Sequence, residues 1–216
     1  MANPKGKPIV IFGMHRSGTS VIASMLHRVG ISMGQDFLDP DGHNPQGYFE
    51  DTDFLWLNKG IIENSGGTWY TPPTVSEMQE GGKKFDEAAK KIMTAKRKIA
   101  GQNSWGWKDP RNCLTCWTYA KYVSDAKFII VVRDFKSIKR SLNAAHGHLA
   151  NWDTIISAYY DSIEEFLRTN FNDSLNVCFE ELVYEEYTRN AVTEILDFVE
   201  KPERLVDKAM SVIRSR

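Results

Sequence analysis

"VIFGMHRSGTS", residues 10–20, runs from apolar residues into Gly13, four intervening residues, Gly18 and the hydroxyl pair Thr19 and Ser20. The stretch "PIVIF" that leads into it, residues 8–12, is almost wholly apolar, as a strand covered on both faces should be. From Thr19 onward, Val21, Ile22, Met25, Leu26 and Val29 fall on one helical face that stops at Gly30. Strand, glycine loop and helix predict the opening unit of an α/β fold. In such a unit the loop amides and the positive end of the helix dipole converge on one anion.

The glycine spacing is that of a phosphate-binding loop, yet Thr19 stands where such a loop carries its lysine. Arg16 is the cation available inside the loop, and its planar fork of donors suits phosphate or sulfate oxygens. His15, Arg16, Ser17, Gly18, Thr19 and Ser20 form the first set of candidate binding residues, His15 as a shaping or packing group.

Further along, "KFIIVV" at 127–132 is a second buried strand, and Arg133 emerges where a parallel strand delivers side chains to a ligand crevice. Ser141, eight residues later and on the predicted following helix, can share one phosphate with Arg133. In an alternative reading, "IIVV" and Asp134 hold magnesium for an ATP-dependent kinase. Between and around these segments the pattern predicts helices at about 52–63, 77–99, 112–122, after Asp134, 152–167 and 192–199. It predicts further strands at "SWGWKD" and "LNVCF". Lys83, Lys84, Lys90, Lys91, Lys96 and Lys98 are interleaved with acids in the 77–99 segment and read as a solvated face, with a docking surface for an acidic partner as the alternative. Alternating strands and helices predict a three-layer α/β architecture, a central parallel sheet between helices, over a single domain spanning 1–216.

A net charge of −1 gives no global reason to bind nucleic acid or an anionic membrane. No apolar run reaches the ~20 residues of a membrane span, and "MANPKGKP" does not read as a signal sequence, so a cytoplasmic location is expected. Three cysteines make no disulfide framework; Cys113 and Cys116 read as small buried thiols on a helix. "HGH" at 146–148 has no carboxylate at helical spacing to complete a metal site, and no metal is expected.

Together "GMHRSGTS" and "VVRDFKSIKRS" resemble the sulfotransferases that use 3'-phosphoadenosine 5'-phosphosulfate. The first is similar to that family's 5'-phosphosulfate loop and the second to its 3'-phosphate motif. "GYFE" at 47–50, "WKDPR" at 107–111 and the closing "CFEELVYEEYTRNAVTEILDFVEKP" extend the likeness over nearly the whole chain. The resemblance implies the P-loop-like sulfotransferase fold, the phosphosulfate nucleotide as donor and adenosine 3',5'-bisphosphate as product. It also implies a role for Lys108 at the bridging or sulfuryl oxygens. A surface pairing of Lys108 with Asp109 is the competing expectation.

A hydroxyl acceptor needs a base. Glu50 is the preferred position and His43 the next, while a plain helix-start carboxylate remains the alternative for Glu50. Arg111 is expected to meet the sulfate or a neighbouring acid, and Trp69, Tyr70 and Trp105 to line an acceptor pocket or pack. The acceptor is left as a small molecule or a glycan. The other functional readings are a metabolite kinase using ATP and magnesium, and a nucleotide-binding module without catalysis.

Overall fold

The computed structural model describes residues 6–42, 44–148, 151–170 and 173–214. Four parallel strands, β1 (Pro8–Phe12), β2 (Trp105–Lys108), β3 (Lys127–Val132) and β4 (Asp173–Cys178), stand in the order β2-β1-β3-β4. Val10 pairs with Trp107 on one side and Phe128 on the other, which places β1 at the centre. The chain leaves β1 for β2 on one side and returns to β3 on the other. The carboxyl ends of β1 and β3 therefore flank the point where the strand order reverses, the usual ligand crevice of an open parallel sheet.

The period-two alternation of the strands divides the core. Val10, Phe12, Phe128 and Ile130 face one layer, with α2 (Thr52–Asn64), α3 (Val75–Gly82), α4 (Asp86–Ala100), α5 (Asn112–Tyr119), α6 (Phe135–His146) and α7 (Trp152–Thr169). Ile9, Ile11, Ile129 and Val131 face the other, with α1 (Thr19–Arg28), α9 (Glu185–Phe198) and α10 (Val206–Arg214). Both faces of β1 are covered, which is why its sequence shows no polar alternation.

Three expectations change. The charged segment read as one helix over 77–99 is two, α3 and α4, joined by a 3₁₀ turn at Lys83–Phe85. Gly81 and Gly82, weak helix formers, end α3 just before the turn, and both meet neighbours closely: a Cβ on Gly81 would fall 2.2 Å from Ser65 Oγ, and one on Gly82 2.1 Å from Thr118 Oγ1. Glycine there lets α3 close against its neighbours, while Thr74 and Glu77 start it with a capping box. Second, the last strand, expected at "LNVCF", starts earlier at Asp173 and ends at Cys178, and its expected final residue Phe179 instead opens the short helix α8 (Phe179–Val183). Third, Lys96 is not on a solvated face. It is buried and bonds Asp51 at 2.7 Å and Asp53 at 2.8 Å, tying α4 to the start of α2.

Candidate active site

The site gathers at the carboxyl ends of the four strands. The loop 13–18 follows β1, Lys108 ends β2, Arg133 follows β3, and Phe179 follows β4. The loop takes its shape from three unusual backbone positions: φ is 147° at Gly13, 69° at Arg16 and 102° at Gly18. A Cβ on Gly18 would lie 2.1 Å from the Phe179 ring, so glycine is needed both for the left-handed conformation and for the approach of that ring. Gly13 N–H donates to Cys113 Sγ at 3.2 Å, which gives the buried thiol a structural role and pins the loop to α5. Burial pushes both the Cys113 and Cys116 thiols up, keeping them protonated.

Arg16 and Arg133 belong to one cleft of about 210 Å³, with Thr19, Ser20, Ser141 and Phe179 also in its walls. Arg133 Nη1 donates to the Arg16 carbonyl at 2.8 Å, and Arg16 Nε donates to Ser141 Oγ at 2.9 Å. The guanidinium of Arg133 lies 4.5 Å above the Phe179 ring, and its Nε is buried without a partner among the described residues. The sequence suggests two separate cationic clamps; in the structure they touch, because the Arg16 side chain leans across to Ser141. Asp134, the alternative magnesium ligand, is engaged as the N-cap of α6, where it accepts from Ser137 N–H at 2.8 Å.

Glu50 and Lys108 also open onto this cleft. They form a buried ion pair at 2.7 Å with side chains 4% and 1% exposed, so the surface pairing of Lys108 with Asp109 is overturned. Asp109 is instead taken by Arg111, which bonds it at 2.8 Å and reaches Glu50 Oε2 at 3.5 Å. Burial raises the Glu50 carboxyl above its ordinary range; Lys108 and Arg111 pull it back in part, while Asp109 adds to the rise. The helix-start role goes to the next residue, Asp51, which caps α2 by accepting from Asp53 N–H at 3.1 Å. The structure thus separates a capping carboxylate from one left facing the cleft.

His15 lies between this centre and an aromatic cluster, its ring 4.6 Å from Trp69 and 5.9 Å from Tyr159. Its residue keeps some exposed surface, but Nε2 is sealed without a partner among the described residues. Burial and then the nearby Arg111 and Lys108 charges hold His15 well below the usual imidazole value, so it is neutral at pH 7. His43 lies outside the described residues. Trp105 lines no part of the cleft: it is buried in the core, stacked on Trp107 at 5.6 Å.

Asn44, Tyr48 and Phe179 join the cleft without having been singled out from the sequence. Burial and the Asp41 hydrogen bond push the Tyr48 hydroxyl up to about 12, which keeps it a neutral donor. Phe179 had a usable signal, since it is the first residue after a strand; Asn44 and Tyr48 sit in an irregular segment whose path no periodicity encodes. A larger cavity of about 650 Å³ lies between α3, α5 and the end of α7 and holds none of the sequence-derived site residues. Among the described residues, no cluster of His, Cys, Asp and Glu is able to hold a metal ion, and no helix is long and apolar enough to cross a membrane.

An open parallel sheet thus carries a glycine loop, two arginines and a buried acid–lysine pair at its carboxyl edge, a set of groups whose chemistry suits an anion. The profile of the sulfotransferase family matches residues 8–203, and the chain belongs to that family. Among solved structures it is similar to a sulfotransferase from Mycobacterium avium, at 14% identity and a TM-score of 0.54, over 98% of this chain and 68% of that one. It is also similar to a sulfotransferase from Mycobacterium tuberculosis H37Rv, at 13% identity and a TM-score of 0.52, over 99% and 72%. At these identities the likeness is one of fold. No curated protein sequence matches.

Proposed function

We propose that the protein transfers a sulfuryl group from 3'-phosphoadenosine 5'-phosphosulfate to a hydroxyl, releasing adenosine 3',5'-bisphosphate. The observation that carries this reading is the convergence of the loop, Arg133 with Ser141, and the Glu50–Lys108 pair on one cleft. The residues fit a doubly anionic nucleotide. The helix start of α1 presents the Thr19 and Ser20 amides, which have no intrahelical carbonyl to meet, and Arg133 keeps a buried Nε to satisfy. The donor supplies an activated sulfuryl group with phosphate as leaving group; the rest is positioning and charge stabilisation.

Arg16 with the Gly18–Ser20 amides and the Ser17, Thr19 and Ser20 hydroxyls holds the 5' end, and Arg133 with Ser141 the 3'-phosphate. Lys108 neutralises charge developing on the leaving oxygen. Glu50 takes the acceptor proton, a task suited to a carboxyl raised by burial. Because Asp134 is engaged as a helix cap, the site favours this over magnesium-dependent phosphoryl transfer.

Thermal unfolding with added nucleotide tests the reading. A ligand that binds only the folded chain raises its stability by mass action. Adenosine 3',5'-bisphosphate should raise the melting temperature more than ATP with magnesium; equal shifts, or a shift with ATP and magnesium alone, reject the proposal.

A further inference from the structure

The reacting centre has a second cavity behind it. About 360 Å³ in volume, it is lined by Arg111, Trp69, Tyr70, Ile62, Lys59 and Thr68 and by Glu63 at its rim. That volume lies at the lower end of the ~300–1,000 Å³ typical of small-molecule sites. Two contacts join it to the cleft. Arg111 Nη1 lies 3.5 Å from Glu50 Oε2, and the Trp69 ring packs on His15 at 4.6 Å; Glu50 and His15 both belong to the nucleotide-side cleft.

The walls combine aromatic surface with polar edges. Tyr70 is 46% exposed and meets Trp69 edge to face, at 5.4 Å and 83°. Thr68 adds a hydroxyl 2.6 Å from that of Thr71. Lys59, loosely paired with Glu63 at 3.8 Å, stands 5.1 Å over the ring of Trp56, which at 62% is the most exposed large hydrophobic residue described. Through Lys59 the aromatic surface continues out of the cavity along α2. Exposed aromatic surface beside a polar-rimmed cavity marks a binding groove.

We propose that this cavity is the acceptor site and that the acceptor is a glycan. A sugar ring has apolar C–H faces that lie on aromatic rings and hydroxyl edges that meet Lys59, Thr68 and Arg111. A hydrophobic phenol would take water from Lys59, which is half exposed and held only loosely by Glu63 at 3.8 Å, without offering it a hydrogen bond in return, which is costly. Trp56, lying beyond the cavity, serves a ligand longer than one ring, so an oligosaccharide fits better than a single sugar. The assignment rests on the sulfuryl-transfer reading. The acceptor C–O–H oxygen bonds to sulfur while the bond from sulfur to the donor's bridging phosphate oxygen breaks, its electron pair staying on the phosphate, and the hydroxyl proton passes to Glu50.

The test measures labelled sulfate transferred from the phosphosulfate nucleotide to cellohexaose, a hyaluronan hexasaccharide, 2-naphthol and a tyrosine peptide. In parallel it measures the melting shift with adenosine 3',5'-bisphosphate. The expected result is label on a hexasaccharide and not on the phenols. Trp56→Ala and Tyr70→Ala should each raise KM for that hexasaccharide about tenfold, with kcat and the nucleotide-induced melting shift unchanged. Label on a phenol alone, label on none of the four, or a hexasaccharide KM indifferent to both substitutions overturns the glycan assignment while an intact melting shift leaves the donor reading standing. Loss of the shift itself overturns both.

Discussion

Lys108 Nζ stands 2.7 Å from Glu50 Oε1 at the carboxyl end of β2, with both side chains all but sealed from water and yet in the wall of the cleft. A charge pair in such a place is an expensive way to hold two segments together, because desolvation offsets much of the attraction. Its position beside the glycine loop suits it instead to the proton and charge roles proposed above.

Glu50→Gln should leave the affinity for adenosine 3',5'-bisphosphate unchanged and lower kcat by roughly a hundredfold or more, the scale of a lost general base. The sign of the pH effect follows from burial. Glu50 must be ionised to accept a proton and its carboxyl is raised, so kcat/KM should fall with decreasing pH through a midpoint above the usual carboxylate value of about 4.3. Steady-state rates across pH check both points. Wild-type turnover in the variant would move the base role elsewhere, with His43 first in line.

Arg133→Ala should weaken adenosine 3',5'-bisphosphate binding by about 2–5 kcal/mol, as truncation of a buried charge partner does. The arginine lies against Phe179 and holds the Arg16 carbonyl, so its loss affects both the ligand and the loop. Titration calorimetry gives the affinity, and a urea melt of the free protein separates binding from folding. Unchanged affinity would remove Arg133 from the nucleotide site.

Much of the fold was legible because its strongest signals are local. β1 and β3 are uninterrupted apolar runs, and the loop between β1 and α1 is marked by two glycines at positive φ. Arg16, Arg133 and Ser141 were readable for the same reason: each sits at a fixed offset from a strand end. What the sequence concealed depends on tertiary approach. Lys96 looks like its exposed neighbours until Asp51, 45 residues away, is folded against it. The need for glycine at 81 and 82, just before the turn between α3 and α4, comes from Ser65 and Thr118, which are distant in sequence. Lys108 precedes Asp109 in sequence, yet pairs with Glu50, 58 residues away, while Asp109 bonds Arg111.

Lys96→Met should destabilise the fold by about 3–5 kcal/mol, since Asp51 would be left buried without its counter-charge. Adding Asp51→Asn should recover part of the loss, because asparagine can still accept at the N-cap while carrying no charge to strand. Denaturant midpoints for the two single variants and the double variant close the cycle. A double variant as unstable as the separate losses added together would show that the two residues do not act as a pair.

His15→Phe should flatten the acid side of the stability curve. His15 is held well below its ordinary value in the folded chain, whereas the unfolded chain titrates near 6.5. Below about pH 6.5 the unfolded state therefore binds a proton that the folded state refuses. Stability is intact above that pH and falls as pH drops, by up to about 1.4 kcal/mol per unit, until the folded value is reached. Phenylalanine keeps a ring against Trp69 and Tyr159, and His15 Nε2 has no partner to lose among the described residues. Urea midpoints at pH 7.5 and 5.5 should then show a smaller acid loss in the variant than in the wild type. Equal losses would mean that the imidazole takes up its proton inside the fold as readily as outside it, and that its neutrality beside Arg111 and Lys108 is not a property of the site.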